Sequence, residues 1–138
     1  MKEILIDIAK DAGKLLLDNF GNREMSQILQ QKEGIDYSIK MDKMVEDRII
    51  GNLKKNGIKG IVISEEIGKV DLGEGDYKIF VDPLDGTLNY SRGIPFFCTS
   101  IGVQKNNEMV YGVVYYPFGD ELFFAEKKPR KPGKGDKK

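Results

Sequence analysis

The hydrophobic pattern of this chain changes period once, near Ile58, and that single change limits the fold more than any other feature. Before it, apolar residues recur at helical spacing. After it they come in short β-type runs separated by Gly, Pro, Asn and Asp. Residues 3–19 read as an amphipathic helix with Ile4, Leu5, Ile8, Ala9, Ala12, Leu15 and Leu16 on one stripe and Gly21 at its stop. A polar stretch, Asn22 to Gln31, has no clear period. The loop Lys32-Glu33-Gly34-Ile35-Asp36-Tyr37 leads to a second helix over about 42–56, with Asp42 as N-cap, a stripe of Met44, Val45, Ile49 and Leu53, and Gly57 behind it. Strands are predicted at 59–64, 77–81, 97–104, 109–116 and 121–126. Lys105-Asn106-Asn107-Glu108 and Pro117-Phe118-Gly119-Asp120 are the turns that join the last three as an antiparallel meander. Two long helices followed by strands give an α+β fold, with the helices packed on a mostly antiparallel sheet.

At 138 residues there is chain for one domain. The net charge of zero conceals an asymmetry. From Lys127 onward seven Lys or Arg face one acid, Asp136, so the end carries +6 and residues 1–126 carry −6. The expected organisation is a folded domain over 1–126 and a basic, disordered tail over 127–138. No aromatic residue interleaves with the tail's basic ones, which argues against a nucleic-acid partner. No apolar run is long enough to span a membrane, and Met1-Lys2-Glu3-Ile4 does not open a signal peptide. The lone Cys98 allows no internal disulfide and fits a reducing, cytoplasmic setting, where it reads as a small buried hydrophobe.

The chemistry is concentrated at two strand ends. Gly60-Ile61-Val62-Ile63-Ser64 runs into Glu65-Glu66, and Tyr77-Lys78-Ile79-Phe80-Val81 runs into Asp82-Pro83-Leu84-Asp85-Gly86-Thr87. Pro83 biases Asp82 toward an extended backbone, and Gly86 permits a tight turn. Carboxylates from Glu65, Asp82 and Asp85, with the Leu84 carbonyl, are expected to converge as an all-oxygen set in a chain without His, which suits Mg²⁺ or Mn²⁺. A short helix is predicted from Thr87 through Tyr90. The Gly86 and Thr87 amides at its start form an expected phosphate seat. Metal-binding acids beside a phosphate seat point to phosphoryl transfer to water.

The string Asp82-Pro83-Leu84-Asp85-Gly86-Thr87, with Asn89-Tyr90 and Gly93-Ile94-Pro95-Phe96 after it, resembles the signature of the inositol monophosphatase family, which includes archaeal-type fructose-1,6-bisphosphatases. Ser64-Glu65-Glu66, Asp42 and the strand Tyr111-Gly112-Val113-Val114-Tyr115-Tyr116-Pro117 also match its landmarks, so the similarity runs to about Glu126. The resemblance implies a Mg²⁺-dependent phosphomonoesterase acting on inositol or sugar phosphates. It implies two or three metal ions (Mn²⁺ as an alternative) held by Glu65, Asp82, the Leu84 carbonyl and Asp85, with Glu66 supporting an outer water. Thr87 and Asp42 become the dyad that orients the attacking water, and Asp85, Gly86 and Thr87 hold the phosphate. Ile39 departs from the family's usual threonine. The family continues into a second α/β domain, whose expected Gly-Lys-Gly-Ala-Phe-like opening is replaced here by Lys127-Lys128-Pro129-Arg130. The chain therefore reads as an N-terminal half, with self-association expected through the sheet face left uncovered. The alternative is an inactive metal-binding half-domain with a structural or partner-binding role.

Overall fold

The computed structural model describes residues 1–31 and 37–128. The elements run α1 (Lys2–Asp18), β1 (Ile28–Gln31), β2 (Tyr37–Ile39), α2 (Lys40–Lys55), β3 (Gly60–Ser64), β4 (Gly68–Asp71), β5 (Tyr77–Asp85), α3 (Thr87–Ser91), β6 (Cys98–Lys105), β7 (Glu108–Tyr116) and β8 (Glu121–Glu126). The last six strands form one sheet in the order β4-β3-β5-β6-β7-β8. Only the β3–β5 pairing in it is parallel. The α+β fold with a mostly antiparallel sheet is thus as expected, and β6, β7 and β8 form the predicted meander.

Alternation along the strands sends one face to the helices. Val62, Ile79, Val81, Ile101, Val103, Val113 and Tyr115 are buried there together with Leu5, Ile8, Ala12 and Leu16 of α1 and Val45, Ile49 and Leu53 of α2. Close approach of α1 to β7 depends on Gly13, where an added Cβ would sit 2.3 Å from the Tyr115 ring. The opposite sheet face leaves apolar side chains in solvent, with Phe123 60% and Val114 36% exposed.

Several expectations are corrected. Helix α2 begins at Lys40, with Ile39 at the N-cap position. Asp42 is therefore at the third helical position, where its Oδ2 accepts the Ile39 N–H at 2.8 Å. The same orphan amide is satisfied, but from inside the helix. The α2 stripe includes Met41 and Ile50, and Met44 is only half-buried. Strand β5 does not stop at Val81; it passes through Pro83 to Asp85 by a bulge, since Asp82 pairs with Ser100 and Asp85 with Cys98. The hairpin β1–β2 and the edge strand β4 lie where no strand was expected. Lys127 follows β8 and is tied to β7, its N–H donating to the Val110 carbonyl and its ammonium paired with Glu108. Residues 129–138 of the expected tail, and most of the loop 32–37, lie outside the described residues.

Candidate functional site

Four chain segments meet at one end of the sheet, beyond the C-terminal ends of β3 and β5: the first turns of α2, the end of β3, the bulge of β5 and the start of α3. Parallel pairing puts Ser64 opposite Val81, and the Glu65 N–H donates to the Val81 carbonyl at 3.3 Å. Glu65 and Asp82 each follow one of these paired residues, so register alone delivers their carboxylates to the same place. Both line a cleft of ≈ 320 Å³ shared with Ser64 and Ser100.

The bulge explains the next part of the motif. Pro83 has no N–H to give the ladder, which makes a bulge the natural place for it. Its carbonyl accepts the hydroxyl of buried Thr99 from β6 at 2.9 Å. The extra residue turns Asp85 into the adjoining cleft of ≈ 510 Å³, with Gly86, Asn89, Cys98 and Tyr116. Gly86 has φ of +100°, and an added Cβ would stand 2.9 Å from the Phe96 carbonyl oxygen. Both constraints select glycine.

Thr87 opens α3, and its hydroxyl lies 3.1 Å from Asp42 Oδ1 and 3.1 Å from the Leu84 carbonyl. It has one proton to donate, and an ionised carboxylate is the stronger acceptor. Asp42, which is fully buried and also accepts the Ile39 N–H, is one of the two acceptors that proton can reach. Whichever acceptor it takes, the Thr87 oxygen keeps lone pairs that can accept a further hydrogen bond.

The expected convergence of three carboxylates is not reached. Among the described residues no group of three His, Cys, Asp or Glu side chains stands close enough to hold a metal ion. Glu65 and Asp82 share one cleft, and Asp85 opens into the next. The two aspartates nonetheless act on a common neighbour. Burial pushes the Cys98 thiol up to about 11, and the negative charges of Asp85 and then Asp82 add to the rise. Cys98 Sγ is 4.0 Å from Asp85 Oδ2. The donors on offer are oxygens throughout, the kind that hard divalent cations select, so the residues fit such an ion in chemistry.

Sequence reasoning gave no role to three supporting groups: Thr99, Ser64 and Glu46. The carboxylate of Glu46 is fully buried. Its Oε2 accepts the Ser64 hydroxyl at 2.5 Å and the Ile67 N–H at 3.0 Å. The signal available was its spacing, four residues after Asp42 and inside an otherwise apolar stripe.

The model of the inositol monophosphatase family matches residues 1–134, eight residues beyond the end inferred from motifs. The fructose-1,6-bisphosphatase/inositol-1-monophosphatase of Thermococcus kodakarensis is 38% identical over 133 residues, which are 96% of this chain and 49% of that protein. The Nus factor SuhB of Haemophilus influenzae is 37% identical over 126 residues, covering 91% of this chain and 46% of that protein. The crystal structure of the extragenic suppressor protein suhB from Bartonella henselae superposes with a TM-score of 0.81 at 34% identity, covering 91% of this chain and 48% of that one. The chain spans about half the length of the relatives it matches. The match along almost its whole length, together with the Asp82–Thr87 string seated at the end of β5, places this chain in the inositol monophosphatase family.

Proposed function

We propose that this chain carries the acidic part of a Mg²⁺-dependent phosphomonoesterase site acting on inositol or sugar phosphates. The observation that carries the reading is the contact between the Thr87 hydroxyl and buried Asp42, beside the strand-end acids. Glu65 and Asp82, which share a cleft, would hold the cation, and Asp85 and the Leu84 carbonyl would have to turn toward that cleft to complete the set. Mg²⁺ (or Mn²⁺) would supply Lewis acidity and a water of lowered pKa.

The remaining roles belong to the chain's own residues. When its proton goes to Asp42, Thr87 Oγ1 accepts a hydrogen bond from a water and fixes that water's orientation; a proton leaving the water passes through Oγ1 toward the Asp42 carboxylate. Burial of Asp42 and the fixed Ile39 N–H on its other oxygen keep the acceptor in place. The Gly86 and Thr87 amides, in the first turn of α3, face no intrahelical acceptor and suit a phosphate oxygen. Glu66, next to Glu65, is assigned to an outer water. The substrate class is a small phosphorylated polyol or sugar, in a cytoplasmic setting; no helix is long and apolar enough to cross a membrane among the described residues.

The test is phosphate release from inositol 1-phosphate and from fructose 1,6-bisphosphate, with and without Mg²⁺. The reading expects Mg²⁺-dependent turnover that Asp82→Asn abolishes; Mg²⁺-independent release, or none, refutes it for this chain. A second reading is favoured by the exposed Phe123 and Val114 face. In it the chain binds a cation without turnover and uses that face to bind a partner or a second copy of itself. Calorimetric Mg²⁺ binding without hydrolysis, and a dimer in light scattering, are its expected results; robust turnover by a monomer refutes it.

A further inference from the structure

Helix α2 presents two buried carboxylates one turn apart, Asp42 and Glu46, and the proposed mechanism uses only the first. Glu46 is the only side chain with a buried polar atom that makes no hydrogen bond among the described residues: its Oε1 has Lys43 Nζ at 3.8 Å as its nearest cation. Its other oxygen accepts two hydrogen bonds, and the two donors have a particular placement. Ser64 directly precedes Glu65, and Ile67 directly follows Glu66. Burying a carboxylate costs solvation, which the hydrogen bonds it accepts offset. One oxygen atom thus clamps both ends of the turn that projects Glu65 and Glu66, and it does so from the helix that also holds Asp42.

We propose that Glu46 is a positioning residue: it fixes the Ser64–Ile67 turn so that Glu65 meets Asp82 in their shared cleft, at a set distance from the Thr87–Asp42 pair. The inference deepens the phosphatase reading and rests on it for the identity of the cation, though not for the clamp itself. Helix α2 then acts as one rigid bar that registers the acidic turn against the water-orienting pair. Groups of this kind, which hold a ligand rather than touch the ion, typically change metal affinity 10- to 100-fold when removed.

The test uses the full chain with three variants and two readouts. Glu46→Gln keeps an acceptor oxygen, Glu46→Ala removes it, and Ser64→Ala removes one donor without touching the helix. Hydrogen exchange reads the Ile67 amide; electron paramagnetic resonance titration with Mn²⁺ alone reads the cleft. The expected result is parent-like Ile67 protection and Mn²⁺ affinity within about 3-fold for Glu46→Gln. Glu46→Ala loses Ile67 protection and at least about 10-fold in Mn²⁺ affinity, and Ser64→Ala falls between. The proposal is overturned if Ile67 exchanges equally in Glu46→Ala and parent, or if Gln impairs Mn²⁺ binding as much as Ala. A parent chain that binds no Mn²⁺ refutes the cation reading, and with it the link from clamp to cation. Exchange at Ile67 still decides whether the clamp exists, so the two failures are told apart.

Discussion

Tyr90→Phe isolates the bond that ties the motif helix to the rest of the domain. The Tyr90 ring is 1% exposed, and its hydroxyl donates to the Leu16 carbonyl at 2.8 Å. Carbonyls in the last turn of a helix lack an intrahelical donor, and α1 resolves this with outside partners. Leu15 receives the Asn19 side-chain amide at 3.0 Å, Leu17 receives the Phe20 N–H at 3.2 Å, and Leu16 depends on Tyr90. The substitution deletes one oxygen and leaves the ring's edge-on packing against Phe97 (4.8 Å) and Phe20 (5.4 Å) in place. What it adds is a buried acceptor without a donor, which destabilises by about 1–3 kcal/mol. Taking about 2 kcal/mol, and about 3–5 °C per kcal/mol for a domain of this size, Tm falls by about 6–10 °C. Differential scanning calorimetry reads the fall, with Tyr116→Phe as control. The Tyr116 hydroxyl donates to the Pro95 carbonyl at the exposed surface, so its loss should move Tm little. Equal Tm values for the two variants would refute the argument that the buried bond anchors α3 to α1.

Other expectations follow from the same geometry. Thr87→Val removes the hydroxyl between Asp42 and the water position and should slow phosphate release about 100-fold or more, while Thr87→Ser retains most of the rate; equal rates for Val and Ser contradict the assigned role. Gly86→Ala meets both the φ of +100° and the Phe96 carbonyl 2.9 Å away, so urea denaturation should show a loss of about 1–3 kcal/mol. The Cys98 thiol, raised to about 11 from an ordinary 9.0, should resist iodoacetamide at pH 8 and react as pH passes 11. Because the folded value is the higher one, its contribution to stability is complete below pH 9 and is lost between pH 9 and pH 11. Rapid labelling at pH 8 would contradict the burial that raises it.

Regular periodicity made the large elements legible. The helical stripes of α1 and α2 and the alternating β6 and β7 each carry enough apolar positions for the period to show. Strand β4 had no such signal, because Gly68-Lys69-Val70-Asp71 contains one apolar residue and forms a solvent-facing edge through its backbone bonds to β3. Asp42 was readable as a helix-start acid but misplaced by three residues, since Ile39 at the N-cap offers no oxygen and the carboxylate reaches back instead. The Asp82–Thr87 string announced the site, yet the bulge that parts Asp82 from Asp85 depends on cross-strand register with β6, a non-local quantity. For the same reason Thr99 carried no local mark of function, and Glu46 and Ser64 no more than a place in the pattern; their roles come from partners 16 to 21 residues away.

The most direct measurement is a crystal of this chain soaked in Mn²⁺ and phosphate and recorded at the manganese absorption edge. The account expects an anomalous peak within coordinating distance of Glu65 and Asp82, with phosphate density between that peak and the Gly86 and Thr87 amides. Manganese that leaves this cleft empty, or binds only at acids elsewhere on the surface, contradicts it.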